Sequence, residues 1–242
     1  MRVRGTGRAV VAVAATGLIA LAAAGCSQGG GAADAALTVA AGEHADVLGG
    51  LPAAVDGAKI VVGEARAPHT VTVFVDPRCG YCAKFEAGSG AVLAERAAAG
   101  KVRVEYVVAS FLDARTGGAA SARAANALRA AAEADAVSGP GKFASYQAAL
   151  YASRPDKAAK DGFSTEHLLA IAEKVPGLRG AAFDKAVRED AYREWVASAE
   201  KAFEDSGVGG TPTVLVDGEP LAAGNGLYDP SEFSQALRDA GV

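Results

Sequence analysis

The chain has 242 residues, half of them apolar, with 24 Lys and Arg against 28 Asp and Glu and only three cysteines. That apolar content suffices for one well-buried domain with a helical insertion, and it excludes a fibrous or disordered polypeptide. Residues 1–25 carry three arginines and no acid, so setting them aside takes the net charge from −4 to about −7, and such an acidic surface argues against nucleic acid as a partner.

Arg2, Arg4 and Arg8 precede an uncharged apolar run from Ala9 to Ala24, which is the layout of an export signal over residues 1–25. The run is too short and too alanine-rich to read as a membrane span. It ends in "LAAAGC", where small residues lead into Cys26. This resembles the lipobox of bacterial lipoproteins, with Ala23 where that family usually has Leu. The resemblance implies cleavage before Cys26 and its acylation; the other reading is an ordinary secretory signal with an incidental cysteine. Gly29 to Gly31 and "AADAA" read as a flexible tether, so residues 26–58 are assigned to a lipid-anchored tether and N-terminal arm. Within them "ALTVAAGEHADVLGGLP" fits either a short helix or an extended arm.

Residues 59–242 hold the folded domain. "KIVVGE" from Lys59 reads as a short strand, and "HTVTVFVD" (69–76), β-branched and aromatic, as a strand buried on both faces and closed by Pro77. From Cys79 onward Cys82, Phe85, Ser89, Val92 and Leu93 recur at helical spacing, with Gly88 and Gly90 placed to weaken or kink the helix. "KVRVEYVV" (101–108) is the next strand and completes a βαβ unit. A helical block follows over about 110–205, with Ser164 as one cap. Phe183, Val187, Ala191, Trp195, Ala199 and Phe203, every four residues, predict one long helix ending near Gly207, and Trp195 belongs to its buried stripe. "GTPTVLVDG" supplies a strand and turn. A last helix begins at Asp229 as cap, Pro230 as first helical residue and Glu232 reaching back.

The chemistry concentrates in "FVDPRCGYCAKF" (74–85). Outside the cytoplasm disulfides persist, but a bridge across two intervening residues removes little entropy from the unfolded chain, so Cys79 and Cys82 are a poor structural staple. A metal site is disfavoured, because His44, His69 and His167 are scattered without ligand spacing. Thiol and disulfide exchange, which requires no cofactor, needs an accessible thiolate, a second thiol nearby and stabilisation of the negative sulfur. CxxC at a helix start supplies all three: free N–H groups and the positive dipole end favour the thiolate of Cys79, while Cys82 one turn on is shielded. Cys79 is thus the nucleophile and Cys82 the resolving thiol. Arg78 either adds positive charge or is simply solvated. Gly80 and Tyr81 form an uncharged dipeptide that cannot support the thiolate as a protonated histidine would, so the pair should be less oxidising than the extreme of such enzymes. In "GVGGTPT" (207–213), a cis Thr211–Pro212 bond would set Gly210 and Thr211 beside the cysteines, where their backbone could pair with an extended peptide.

"VTVFVDPRCGYCAKFE" and "GVGGTPTVLVDG", separated by a helical block, resemble the DsbA-like branch of the thioredoxin superfamily, the exported thiol:disulfide oxidoreductases, from about Lys59 to Ala240. The resemblance implies an α/β thioredoxin fold with an inserted all-helical domain, Cys79 attacking, Cys82 resolving, and Thr211 with cis-Pro212 lining the peptide site. It also implies exported proteins, reduced or misoxidised, as substrates, and a membrane redox partner that resets the pair. Many members carry a buried acid six residues before the first cysteine; Val73 stands there in this chain, leaving Glu105 as a candidate substitute. The Gly-Tyr dipeptide is equally similar to that of bacterial disulfide isomerases, although residues 27–58 are short for their dimerisation domain. An oxidase therefore leads, a reductase or isomerase on the same fold follows, and a lipoprotein binding module with inert cysteines is the non-enzymatic alternative.

Overall fold

The structure, a computed structural model, describes residues 37–155 and 162–242. The export signal, Cys26 and the glycine tether lie outside the described residues. A six-stranded mixed sheet in the order β1-β2-β4-β3-β5-β6 forms the centre, built from β1 (Ala53–Asp56), β2 (Lys59–Val62), β3 (His69–Val75), β4 (Val102–Val108), β5 (Thr213–Val216) and β6 (Glu219–Pro220). Only β3 and β4 run parallel, with Val71 opposite Val104 and Val73 opposite Tyr106. The other neighbours are antiparallel.

Alternation along β3 separates two layers. Val71, Val73 and Val75 join the main core with Phe85, Leu93, Phe233 and Leu237 from α2 (Gly80–Phe85), α3 (Ala91–Ala98) and α10 (Pro230–Asp239). Phe74 and Val107 face the other way and pack on Phe203 of α9 (Arg193–Asp205). Between β4 and β5 the chain is helical: α4 (Leu112–Thr116), α5 (Ala120–Ser138), α6 (Lys142–Ala152), α7 (Thr165–Ala172), α8 (Ala181–Arg188) and α9. The alanines that line α5 let α6 and α8 pack close against it, and Ser164 caps α7 by accepting from His167 N.

The predicted helix after Cys79 divides at its glycines. Glu86–Gly90 forms a π turn between α2 and α3, and a Cβ at Gly88 would stand 2.4 Å from the Tyr228 carbonyl oxygen. The arm before Lys59 contains α1 (Ala45–Leu48) and β1, which hairpins onto β2.

Two expectations are corrected. The stripe from Phe183 to Phe203 is two helices, α8 and α9, broken at 189–192 with Asp190 at φ 48°. The cause is the buried Asn126 of α5, whose amide donates to Ala186 O at 3.0 Å and whose Oδ1 accepts from Tyr192 N at 2.8 Å. Ala191 is consequently exposed, and Trp195, half-buried, packs against the core while its Nε1 donates to Gly57 O at 2.9 Å. At the last helix Asp229 caps Ser231 N and Glu232 N and Pro230 is the first helical residue, but Asp229 N donates to Gly226 O, so Glu232 does not close the box.

Asn126→Ala should lower unfolding free energy by about 1–3 kcal/mol, since Tyr192 N loses its partner at the break. Urea unfolding with unchanged m-value would measure it. A loss below about 0.5 kcal/mol would assign the break to another cause.

Candidate active site

Cys79 is the N-cap of α2 and Cys82 lies inside its first turn, both as free thiols. Cys79 N donates to Asp76 O at 2.9 Å, which fixes the chain as it leaves β3. Cys79 remains 9% exposed and Cys82 not at all, so only Cys79 can be reached from solvent. From the other side of the molecule Thr211 arrives through the pairing of β5 with β3, and its carbonyl oxygen accepts from Cys79 Sγ at 3.3 Å. The Thr211–Pro212 bond is cis. Gly210 is half-buried beside it, its carbonyl held by Thr213 Oγ1 at 2.8 Å.

The two thiols are electrostatically unequal. A hydrogen bond from the Cys82 thiol, opposed by burial and assisted by the Thr211 hydroxyl and the backbone N–H groups of Cys82 and Tyr81, lowers Cys79 to about 5. The Thr211 hydroxyl is buried with no partner of ordinary length, so it gains an acceptor when Cys79 ionises. Burial, reinforced by the hydrogen bond to Cys79, pushes Cys82 well above the usual thiol range. One sulfur is thereby a thiolate near neutral pH and the other stays a thiol.

Arg78 is turned away from the sulfur. Its guanidinium reaches Asp113, Thr116 Oγ1 and the Gly117 carbonyl of α4 and the turn after it, so it is paired with an acid there and not simply solvated. Arg154, which sequence reasoning does not single out, lies against the Gly80 backbone instead. Glu105 is likewise corrected as a proton acceptor. Opposite Thr72 in register, it points to the Phe74 and Val107 face, away from α2, and is engaged by Lys59 and by Arg103 at 2.8 Å. Val73 stays in the main core.

Other acids approach the cysteines, and nothing in the local sequence marks them. Asp76, fully buried, accepts from Arg78 N, Ser121 Oγ and Leu112 N, and burial raises it to about 6. It ties the CxxC turn to α5. Glu86 lies one turn after Cys82, its N–H donating to Cys82 O, and its low-polarity surroundings raise it to about 7 despite a 3.3 Å hydrogen bond from Gln147. Tyr151 of α6 donates to Asp76 O at 3.4 Å. The histidines serve elsewhere: His69 pairs with Asp217 at 2.8 Å, and His167 meets Thr38 O at 2.7 Å. Among the described residues no three His, Cys, Asp or Glu side chains converge as metal ligands.

A family model described as thioredoxin matches residues 56–239. No curated protein matches the sequence. Among solved structures, the chain is similar to MdbA, a thiol-disulfide oxidoreductase from Corynebacterium diphtheriae, at 20% identity and TM-score 0.61 over 77% of this chain and 93% of that one. BdbD from Bacillus subtilis, oxidised, gives 18% and 0.61 over 78% and 96%. The reduced disulfide bond oxidoreductase DsbG from Mycobacterium tuberculosis gives 23% and 0.57 over 67% and 79%. At such identities the likeness is one of fold.

Alkylation of the reduced protein by a small reagent should follow the Cys79 thiolate, with a pH midpoint near 5, and Cys82→Ala should move that midpoint upward. Folding lowers this thiol from 9.0 to about 5, so the stabilisation it gives the reduced fold, relative to Cys79→Ser, is complete above about pH 9 and lost as pH falls through about 5. A wild-type midpoint left near 9 would contradict the assignment.

Proposed function

Since the chain belongs to the thioredoxin family, we propose that it is an extracytoplasmic thiol:disulfide oxidoreductase that donates the Cys79–Cys82 disulfide to reduced exported proteins. One observation carries this reading. Cys79, depressed to about 5, is stabilised as the thiolate that appears when the disulfide is reduced. Stabilising the reduced form makes a couple more oxidising, and a low-pKa thiol is the better leaving group.

In the reaction a substrate thiolate attacks Cys79 Sγ, the Cys79–Cys82 bond breaks, and Cys82 departs and takes up a proton. A second substrate thiolate then attacks the substrate sulfur of the mixed disulfide and expels Cys79 as thiolate. Two electrons have passed to the protein, and a membrane redox partner returns them onward by reforming the disulfide. Only Cys79 is open to attack, which is why Cys82 serves as the internal partner. The Thr211 carbonyl, which accepts from Cys79 Sγ only while that sulfur is protonated, faces no S–H in the disulfide or the thiolate and is free there to accept a substrate N–H.

The arginine-led apolar signal and Cys26 support placing the domain outside the cytoplasm on a lipid anchor, and no helix of the described residues is long and apolar enough to cross a membrane. Fatty-acid labelling that is lost in Cys26→Ala would establish the anchor; equal labelling of that variant would refute it.

Cys79→Ser should abolish disulfide transfer to a reduced substrate protein, and Cys82→Ser should accumulate a mixed disulfide at Cys79, seen as a reducible adduct on a gel. Undiminished turnover in Cys79→Ser would refute the function.

A further inference from the structure

We propose that the hydroxyl of Tyr151 is a catalytic group in the exchange: it donates a hydrogen bond to the Cys82 sulfur as that sulfur leaves the disulfide. The inference rests on Cys79 and Cys82 exchanging disulfides with substrates and adds what stabilises the buried leaving group.

The need arises from depth. When a substrate thiolate attacks Cys79 Sγ, the Cys79–Cys82 bond breaks and its electron pair goes to Cys82 Sγ, a residue with no exposure to solvent. Burial raises that thiol well above its usual range, so the charge developing there in the transition state is costly too. Two donors favour charge on it, the Asp76 N–H and the Thr211 hydroxyl. The hydroxyl also serves Cys79, and an anion held in low polarity gains from each further donor.

Tyr151 is a donor in reserve. It is buried on α6, yet its O–H donates to Asp76 O at 3.4 Å, whereas an O–H to O bond is ordinarily about 2.7–2.8 Å. That carbonyl is already served by Cys79 N at 2.9 Å. Buried phenol hydroxyls usually hold a good acceptor, and the other one on α6, Tyr146, does so by donating to Leu168 O at 3.0 Å. The Tyr151 ring belongs to the main core, so α6 keeps its hold on the cysteine turn when the O–H turns elsewhere.

Position supplies the acceptor. Asp76 follows β3 directly, with its carbonyl bonded to Cys79 N and its N–H turned to Cys82, so a hydroxyl at that carbonyl stands beside both cysteines. α6 packs on α2, and Ala83 and Glu86, which follow Cys82, share a cavity wall with Tyr151. Burial, and after it the charges of Cys82, Glu86, Asp76 and Cys79, hold Tyr151 well above the usual phenol range. Its proton therefore stays on Oη throughout. The bond swings from Asp76 O to Cys82 Sγ, and the proton that later neutralises Cys82 comes from water.

The test follows glutathione exchange in quenched flow, with adducts resolved by mass. Oxidised protein and reduced glutathione report opening of the disulfide to a Cys79–glutathione adduct; reduced protein and glutathione disulfide report closure of that adduct by Cys82. Tyr151→Phe should slow opening and closure by the same factor, about threefold to thirtyfold, because the hydrogen bond acts on the transition state they share. The reduction potential and the pH midpoint for alkylating Cys79 should keep their wild-type values, since Cys82 is uncharged in both end states. Tyr146→Phe, which also removes a buried hydroxyl from α6, should leave both rates within about twofold. Unchanged rates in Tyr151→Phe, slowing of one direction alone, or equal slowing in Tyr146→Phe would each overturn the assignment. A shifted potential or Cys79 midpoint in Tyr151→Phe would overturn it as well, by making the hydroxyl a support of the turn. If the wild-type disulfide does not open with glutathione at all, the exchange function itself has failed.

Discussion

Cys79 works only because two stretches of chain 132 residues apart meet at its sulfur, and the pairing of β5 with β3 is what brings them together. Phe74 opposite Thr213 sets the register, and a shift by one residue would turn every β5 side chain to the other layer and carry Thr211 away from the helix start. All the helices from α2 to α9 lie within the loop that this pairing closes. The insertion is therefore not an appendage. Through Asp76, Ser121 and Tyr151 its α5 and α6 grip the turn that carries the cysteines, so sheet and helical block fix the same few residues from opposite directions.

On that scaffold the asymmetry between the thiols follows from depth. Cys79 is half in the helix, with N–H groups of the first turn and the Cys82 thiol turned toward it; Cys82 has the low polarity of the interior and a neighbouring negative sulfur. The same contact lowers one and raises the other. Reduction of the disulfide thus leaves a thiolate where hydrogen bonds await it, which favours the dithiol state, and a Cys82 thiol that burial keeps protonated. No positive side chain is needed for this. Arg78, the residue nearest in sequence, is neutralised against Asp113.

Much of this architecture can be read from the chain because its signals are local. The βαβ order, the CxxC at the strand-to-helix junction, the kinking glycines, the caps at Ser164 and Asp229 and the threonine-proline before β5 each lie within a short window. What escapes is long-range. The apolar stripe from Phe183 to Phe203 continues through its break because the break is imposed by Asn126, far upstream on α5. β1 is unreadable in a run of Ala, Gly and Asp, since its partner β2 and the acid Asp135, which accepts from Ala53 N, supply what its side chains lack. Glu105 looks available until the register places it on the far face of the sheet. Tyr151 has no motif at all. It reaches the cysteine turn only because the helical block brings α6 back to the residue that follows β3.

The central claim is that stabilisation of the Cys79 thiolate makes the dithiol form favourable, so that the protein gives its disulfide away. Its most direct test is the reduction potential of the Cys79 and Cys82 pair, from residues 27–242 equilibrated in glutathione buffers with free thiols trapped at each poise. The account predicts a value on the order of −120 to −180 mV, at the oxidising end of such pairs. One near about −250 mV or below would contradict it, because the dithiol would then be the electron donor.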